Sequence, residues 1–196
     1  MRLMEEKILS EGKVLPGGVL KVGSFLNQQI DCRLLKEMGR EIARLFSGCG
    51  ITKVMTIESS GIAVAVAAGM ELAVPVVFAK KHRSSNVDGQ IYSAPVHSFT
   101  HNTDYAAVVS RDYLREDDVV LLVDDFLATG NAFQGLILLC GQAGARVAGI
   151  CAAVEKGFQN GGDALRRAGY RVESLAVIDE MNEDKIVFRP QASTVL

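Results

Sequence analysis

Two adjacent carboxylates, Asp124 and Asp125, lie between an apolar run and a loop of small residues. The loop, residues 128–132, reads Ala-Thr-Gly-Asn-Ala, and its small residues allow backbone N–H groups to approach an anion closely. A helix that begins at this loop would add a dipole that favours negative charge. Adjacent carboxylates can accept hydrogen bonds from a ribose diol, or bind Mg²⁺ directly or through water. The pattern therefore predicts a phosphate site beside a sugar or a metal ion.

Three other interpretations of the two acids have to be weighed. An apolar strand followed by two acids also resembles the magnesium strand of a P-loop ATPase, but the sequence contains no GxxxxGK[ST] loop. A phosphorylation receiver domain carries its acidic pair after the first strand, whereas Asp124 and Asp125 come late in the chain. The third interpretation is a strand that ends in two solvated acids capping a helix. The attached Ala-Thr-Gly-Asn loop favours the phosphate site over all three.

The run before the acids, residues 119–123 (VVLLV), is typical of a strand buried on both faces of a parallel sheet. Elsewhere, apolar residues at helical spacing alternate with short strand-like runs. The predicted strands are 51–57, 74–79, 105–110, 119–123, 147–154, 172–178 and 185–188, and the predicted helices are 33–46, 62–72, 132–142 and 163–168. This alternation predicts an α/β fold with a mostly parallel central sheet flanked by helices, and ligands beyond the carboxyl ends of the strands.

Residues 80–103 differ from the rest of the chain. They are polar, have no sustained period and carry all three histidines. We predict an irregular segment that is functional or mobile. His97 and His101 have a spacing that would bind a metal on a helix, but Pro95 and the residues between the histidines argue against a helix, so we predict loop histidines there.

Length and composition limit the class of protein. The 196 residues, 48% hydrophobic and 22% charged, predict a single globular domain over residues 1–196. A net charge of −2 excludes a strongly basic nucleic-acid binder, and the sequence contains neither a spanning apolar run nor a signal-peptide core. The four cysteines form no CxxC pair, which favours reduced, buried thiols. We therefore expect a soluble, cytoplasmic protein without a nucleic-acid or membrane partner.

The segment VVLLVDDFLATGNA resembles the phosphoribosyl pyrophosphate signature of type I phosphoribosyltransferases. Further segments resemble the purine-specific members of this family in the same order along the chain. They are LKVGSFLNQQID (20–31), ITKVMTIESSGIA (51–63), PVVFAKKH (75–82), EKGF (155–158) and GYRVESLA (169–176). The resemblance implies the type I phosphoribosyltransferase fold, with a small hood built from both chain ends, including residues 1–31, and a mobile lid loop.

The implied reaction transfers the phosphoribosyl group of phosphoribosyl pyrophosphate (PRPP) to a purine base and releases pyrophosphate. The implied base is xanthine, the implied cofactor is Mg²⁺ carried by PRPP, and the implied assembly is a homodimer. Asp124 and Asp125 would stabilise the positive charge that builds on the ribose ring. A lid lysine, Lys80 or Lys81, would contact pyrophosphate, and we take Lys81 as the candidate catalytic residue. The implied PRPP-binding residues are Ser59, Ser60, Gly61, Ala128, Thr129, Gly130, Asn131 and Ala132.

The resemblance places the base at Leu20, Asn27 and Lys156. Asn27 can donate and accept, which suits an oxopurine edge, whereas Lys156 only donates, which suits a carbonyl and opposes the amino group of adenine. The alternatives are a core leucine, a turn asparagine and a solvated lysine. Phe158 is a candidate for stacking on the base, with a core phenylalanine as the alternative.

Two positions depart from the family pattern. Many family members carry Asp where Ala128 stands, and that aspartate has been proposed as the general base, so the proton acceptor here is open. The last loop position is often Ser or Thr, whereas this chain has Ala132, which removes one side-chain contact to phosphate. Xanthine is an acidic purine, and we expect it to enter partly deprotonated.

Three other functions remain open at this stage. One is a regulator that senses PRPP without catalysis, but such repressors carry a DNA-binding domain, and the segment before the first predicted core strand is short and has no recognition-helix pattern. The others are transfer to guanine or hypoxanthine, and transfer to adenine. Lys156 weighs against adenine but not against guanine, which also has an oxo group.

Overall fold

A six-stranded sheet forms the centre of the computed structural model, which describes residues 1–81, 90–98 and 103–190. The helices are α1 (Arg2–Glu11), α2 (Cys32–Leu45), α3 (Gly61–Leu72), α4 (Asn131–Ala143) and α5 (Gly161–Arg167). The strands are β1 (Lys13–Leu15), β2 (Val19–Lys21), β3 (Lys53–Ile57), β4 (Val76–Ala79), β5 (Ile91–Ser98), β6 (Thr103–Ser110), β7 (Val119–Leu127), β8 (Arg146–Lys156), β9 (Val172–Met181) and β10 (Ile186–Phe188). The sheet order is β10-β9-β8-β7-β3-β4, parallel except for β10. The predicted α/β architecture is confirmed.

Both faces of the sheet are covered, which explains the continuous apolar run in β7. Leu121 and Val123 are fully buried beneath α1, α2 and α3, whereas Val120 and Leu122 are fully buried on the opposite face. That opposite face packs against α4, α5 and the antiparallel hairpin β5–β6. Because successive side chains of a strand point to opposite faces, a strand covered on both sides must be apolar at every position.

The amino-terminal region forms a helix and a small hairpin that the sequence patterns did not predict. Helix α1 packs Met4 and Ile8 into the core, and the hairpin β1–β2 turns at residues 16–18, where a turn was predicted. A short π-helical turn, Gly23–Asn27, follows β2 and buries Phe25. Asp31 then caps α2 by accepting hydrogen bonds from two backbone N–H groups of its first turn. This region lies on the same face of the sheet as α2 and α3.

Two predicted elements differ from the structure. Residues 91–98, predicted to be irregular, form β5, whose buried Ala94 and Val96 alternate with more exposed positions. The prediction was wrong because Pro95 hides the strand pattern, although proline is tolerated in a strand that pairs on one side only. Strand β7 was predicted to end at Val123 but continues to Leu127, so both acids lie inside it. Residues 82–89 and 99–102, with His82, His101 and the centre of the predicted lid, lie outside the described residues.

Two of the four cysteines, Cys140 and Cys151, are buried free thiols as predicted, whereas Cys32 is exposed on the first turn of α2. Within the described part of the chain, no helix is both long enough and apolar enough to cross a bilayer.

Candidate active site

The two acids are buried in the carboxyl-terminal half of β7. Asp124 is 6% exposed and Asp125 is 7% exposed, and the backbone N–H of Asp125 donates to Asp124 Oδ1 at 3.0 Å. Burial raises the pKa of Asp124 well above its usual value, and the negative charge of Asp125 raises it further. The positive charge of Lys81 acts in the opposite direction. A positive charge that develops beside this pair would stabilise the two buried carboxylates.

The predicted phosphate loop lies where β7 ends and α4 begins. Gly130 has a φ of +88°, a conformation that favours glycine, and α4 begins at the next residue, Asn131. The loop is held from two sides: Gly161 N–H donates to the Ala128 carbonyl at 3.1 Å, and Asn131 Nδ2 donates to the His97 carbonyl at 3.4 Å. The first contact comes from the start of α5 and the second from β5. The first N–H groups of a helix have no partner within the helix, so the start of α4 has the backbone arrangement that suits an anion, and phosphate binding there stays a prediction.

The other residues implied to bind PRPP lie between β3 and α3: Ser59 and Ser60 precede the helix, and Gly61 begins it. The Glu58–Ser59 peptide bond is cis. Ser60 precedes α3 without a side-chain capping hydrogen bond to that helix, so it does not serve as an ordinary serine N-cap. A Cβ atom at Gly61 would collide with Asp124 Oδ1 and with Thr56 Oγ1. The start of α3 therefore lies directly against the buried carboxylate of β7.

These elements border one cavity of about 190 Å³. The predicted residues that line it are Ser60, Lys81, Asp124, Asp125, Ala128, Thr129, Gly130, Asn131 and Ala132. Glu58, which the family resemblance places in the pyrophosphate loop, also lines it, as do His97 and Tyr105, which sequence reasoning did not select as site residues. His97 and Tyr105 are directly opposite Asp104 and Val96 in the β5–β6 hairpin, a pairing that no local pattern reveals.

Of the two candidate lysines, Lys81 lies at the cavity. Its backbone N–H donates to Glu58 Oε1 at 2.7 Å, and its ammonium lies 5.5 Å from the centre of the Tyr105 ring. Burial, with smaller contributions from the charges of Asp124 and Glu58, raises the pKa of Tyr105 to about 12, so this phenol is neutral at physiological pH. The backbone of Lys80 instead forms an isolated bridge with β6. Lys81 is thus the candidate lysine that lines the cavity, and its contact with pyrophosphate stays a prediction.

The three predicted base residues occupy different surroundings. Lys156, the last residue of β8, donates from Nζ to the Gly18 carbonyl at 2.9 Å and lies 5.6 Å from the Phe126 ring centre. Burial lowers the pKa of Lys156. Asn27 Nδ2 donates to Asp125 Oδ2 at 3.5 Å, which connects the hood with the two acids. Leu20 is only 6% exposed and belongs to the apolar core, as its structural alternative requires, so its contact with a base stays a prediction.

Phe158 follows Lys156 by two residues and lies at the surface. Its side chain is 38% exposed, and its ring would be 3.7 Å from a Cβ atom placed on Gly18. The alternative of a core phenylalanine is therefore wrong, and Phe158 borders the hood turn. Its stacking on a base stays a prediction.

The sequence and the fold together identify the class. Residues 25–187 match the family model of the phosphoribosyl transferase domain, and the chain belongs to this phosphoribosyltransferase family. Among curated proteins, it is 53% identical to the xanthine phosphoribosyltransferase of Bifidobacterium longum over 192 residues, covering 96% of this chain and 100% of that protein. It is 48% identical to the xanthine phosphoribosyltransferase of Oceanobacillus iheyensis, covering 98% of this chain and 99% of the relative.

Solved structures confirm the fold. The adenine phosphoribosyltransferase of Giardia lamblia, complexed with 9-deazaadenine, superimposes with a TM-score of 0.77 at 23% identity, covering 91% of this chain and 98% of that one. The adenine phosphoribosyltransferase of Rhodothermus marinus gives a TM-score of 0.70 at 23% identity, covering 90% and 99% of the two chains. At this identity the likeness concerns the type I fold and not the choice of base.

Proposed function

We propose that this protein is a purine-salvage enzyme that transfers the phosphoribosyl group of PRPP to xanthine, which yields xanthosine monophosphate and pyrophosphate. The observation that carries the proposal is that one cavity is bordered by the small-residue loop and both acids, in a chain about half identical to xanthine phosphoribosyltransferases over nearly its full length. The adenine-specific structures share the fold only. The 48–53% identity to xanthine phosphoribosyltransferases therefore supports xanthine as the base.

In the proposed reaction, the bond between the anomeric carbon of ribose and pyrophosphate breaks, and a bond from that carbon to a base nitrogen forms. Asp124 and Asp125 face the ribose and stabilise its positive charge as pyrophosphate departs. The backbone N–H groups of residues 128–132 bind the 5′-phosphate, with the helix dipole of α4 adding to the attraction. Residues 58–61 and Lys81 bind pyrophosphate. Xanthine enters partly deprotonated, which reduces the need for the aspartate that Ala128 replaces.

The two acids also fit a magnesium ion. Carboxylate oxygens are hard ligands, and Mg²⁺ in proteins keeps several waters and binds through one or two carboxylates together with substrate phosphates. Among the described residues, no group of three His, Cys, Asp or Glu side chains could hold a metal ion, so we propose that Mg²⁺ arrives on PRPP. Asp124 and Asp125 would hold it directly or through water. When bound, it would neutralise charge on the pyrophosphate oxygens.

Base recognition is assigned to the hood, residues 1–31, and to the end of β8. Lys156 donates to an oxo group of the base, Asn27 bonds its edge and Leu20 packs on its rim. We also propose that the chain forms one domain over residues 1–196, assembles as a homodimer and works in the cytoplasm. Mixing subunits that lack Lys81 with subunits that lack Asp125 would test whether the sites are shared. An active hybrid would require one site to combine Lys81 of one copy with Asp125 of the other.

Xanthine-dependent release of pyrophosphate tests the main proposal. With PRPP and Mg²⁺, kcat/KM should be highest for xanthine when the four bases xanthine, guanine, hypoxanthine and adenine are compared. A higher value with guanine or hypoxanthine would transfer the assignment to those bases. Binding of PRPP without turnover on any base would support the sensor instead.

We expect Lys156→Ala to reduce the preference for xanthine over adenine at least tenfold, because a charge-assisted hydrogen bond to an oxo group contributes about 1.5–3 kcal/mol. The measurement is kcat/KM for each base. Lys185→Ala is the matched control, since Lys185 is 66% exposed and its ammonium lies 3.9 Å from Glu180. An unchanged ratio in the Lys156 variant would remove this residue from base recognition.

A further inference from the structure

An ion pair between the buried Glu155 and the partly exposed Arg166 lies next to the end of β8 assigned to base recognition. Glu155 is only 1% exposed, and Arg166 of α5 donates to it in parallel: Nη1 to Oε1 and Nη2 to Oε2, both at 2.8 Å. Ser174 Oγ of β9 donates to Oε2 at 2.6 Å. Such a pair fixes direction as well as distance, because the guanidinium fork is planar and rigid.

One end of this arrangement is Lys156. It follows Glu155 in β8, and successive side chains of a strand point to opposite faces. Glu155 therefore points to α5 and β9, while Lys156 points to the hood turn and donates to the Gly18 carbonyl. Whatever fixes the Glu155 side chain also fixes the backbone from which Lys156 extends.

The other end is the phosphate loop. Gly161, the first residue of α5, donates its N–H to the Ala128 carbonyl at 3.1 Å, and a Cβ atom on Gly161 would lie 2.6 Å from the Gly130 nitrogen. The next residue, Gly162, is so close to Glu155 that a Cβ atom there would collide with Oε1. The start of α5 is thus held between the carboxylate of Glu155 and the backbone of residues 128–130.

We propose that Glu155 and Arg166 are positioning residues that hold the phosphate loop and Lys156 at a fixed separation, so that bound PRPP and the base meet in reacting geometry. This inference rests on the proposed function. Stability alone does not account for the pair, because a partly exposed ion pair contributes little to stability and apolar replacement of a buried one is often neutral or stabilising. Its geometry instead connects two segments that must be set to within a fraction of an ångström, since misplacement of 1 Å can cost about a hundredfold in rate.

Arg166→Lys tests the proposal, because lysine keeps the charge and loses the fork. We expect kcat/KM to fall about tenfold or more for both PRPP and xanthine, with a cooperative unfolding transition retained. Arg44→Lys is the matched control: Arg44 makes a comparable two-pronged pair with Glu41, through Nε and Nη2 and both at 2.8 Å, but on the outside of α2. The control should leave both values unchanged.

A second variant separates positioning from folding. Glu155→Gln combined with Arg166→Met removes both charges together, so no buried charge is left unpaired, and it should fold with a melting temperature near that of the wild type while keeping the kinetic defect. A lowered melting temperature with wild-type kcat and KM in Arg166→Lys would overturn the inference, as would a change confined to xanthine. Wild-type protein that releases no pyrophosphate with any of the four bases would overturn the proposed function, and this inference with it.

Discussion

Asp125→Asn should reduce kcat by about 10²–10³-fold, the range found when one group that stabilises transition-state charge is removed. Asparagine keeps the shape and can still accept from Asn27 Nδ2, which lies 3.5 Å from Oδ2 of Asp125. It loses the negative charge that faces the ribose in the proposed reaction. The variant also removes the negative charge of Asp125, the second-largest cause of the raised pKa of Asp124, so the pKa of Asp124 should fall toward its usual value while burial still raises it.

The control for this variant is Asp118→Asn. Asp118 is 9% exposed and immediately precedes the first residue of β7, at the strand end opposite the two acids. Asp118 accepts from Lys53 Nζ at 2.6 Å and from the Arg115 N–H at 2.8 Å, and it is remote from the proposed chemistry. The control should lower the free energy of unfolding by about 1–3 kcal/mol and keep kcat. Steady-state kinetics and thermal unfolding of both proteins provide the comparison. An Asp125→Asn enzyme with more than a tenth of wild-type kcat would show that its charge is not part of the reaction.

The central part of this site could be predicted from sequence because it is local. Residues 119–132 encode a buried strand, two acids, a loop and a helix start within one continuous segment. In a parallel sheet, this order alone places the acids and the loop near the carboxyl ends of the strands. The same reasoning yielded the strands and helices of the sheet with errors of a few residues at their ends. The acids were placed after β7 because charged residues rarely continue a buried strand, yet pairing with β8 continues to Leu127.

The remaining parts depend on residues far apart in sequence. Tyr105 lines the cavity because β6 pairs with β5, a strand whose pattern Pro95 makes hard to recognise. Asn27 contacts Asp125, which lies 98 positions later in the sequence. Neither contact has a local pattern. Helix α1 was missed because its buried residues, Met4 and Ile8, are few, so its helical period is weak. The hood could therefore be assigned only from the family resemblance.

Gly61 joins the two halves of the proposed PRPP site. It begins α3, immediately after the loop assigned to pyrophosphate, and lies against Asp124. Thr56 Oγ1 is fully buried at the same place and has no hydrogen-bond partner among the described residues. Because Gly61 has no side chain, the space between the strand end and the helix start accommodates the Asp124 carboxylate and the Thr56 hydroxyl.

Gly61→Ala should lower kcat/KM for PRPP by about a hundredfold, because the added methyl group must displace the Asp124 carboxylate and the Thr56 hydroxyl, or shift the start of α3, and a shift of 1 Å is enough for a loss of that size. Gly141→Ala is the matched control: Gly141 lies within α4 with nothing within 4 Å of its Cβ position, so alanine there should stabilise the helix by about 0.5–1 kcal/mol and leave kinetics unchanged. Initial rates at varied PRPP and a thermal unfolding curve for each protein separate the two effects. A Gly61→Ala enzyme with wild-type kcat/KM would mean that the Asp124 carboxylate can move without consequence, and its proposed contact with the ribose would have to be abandoned.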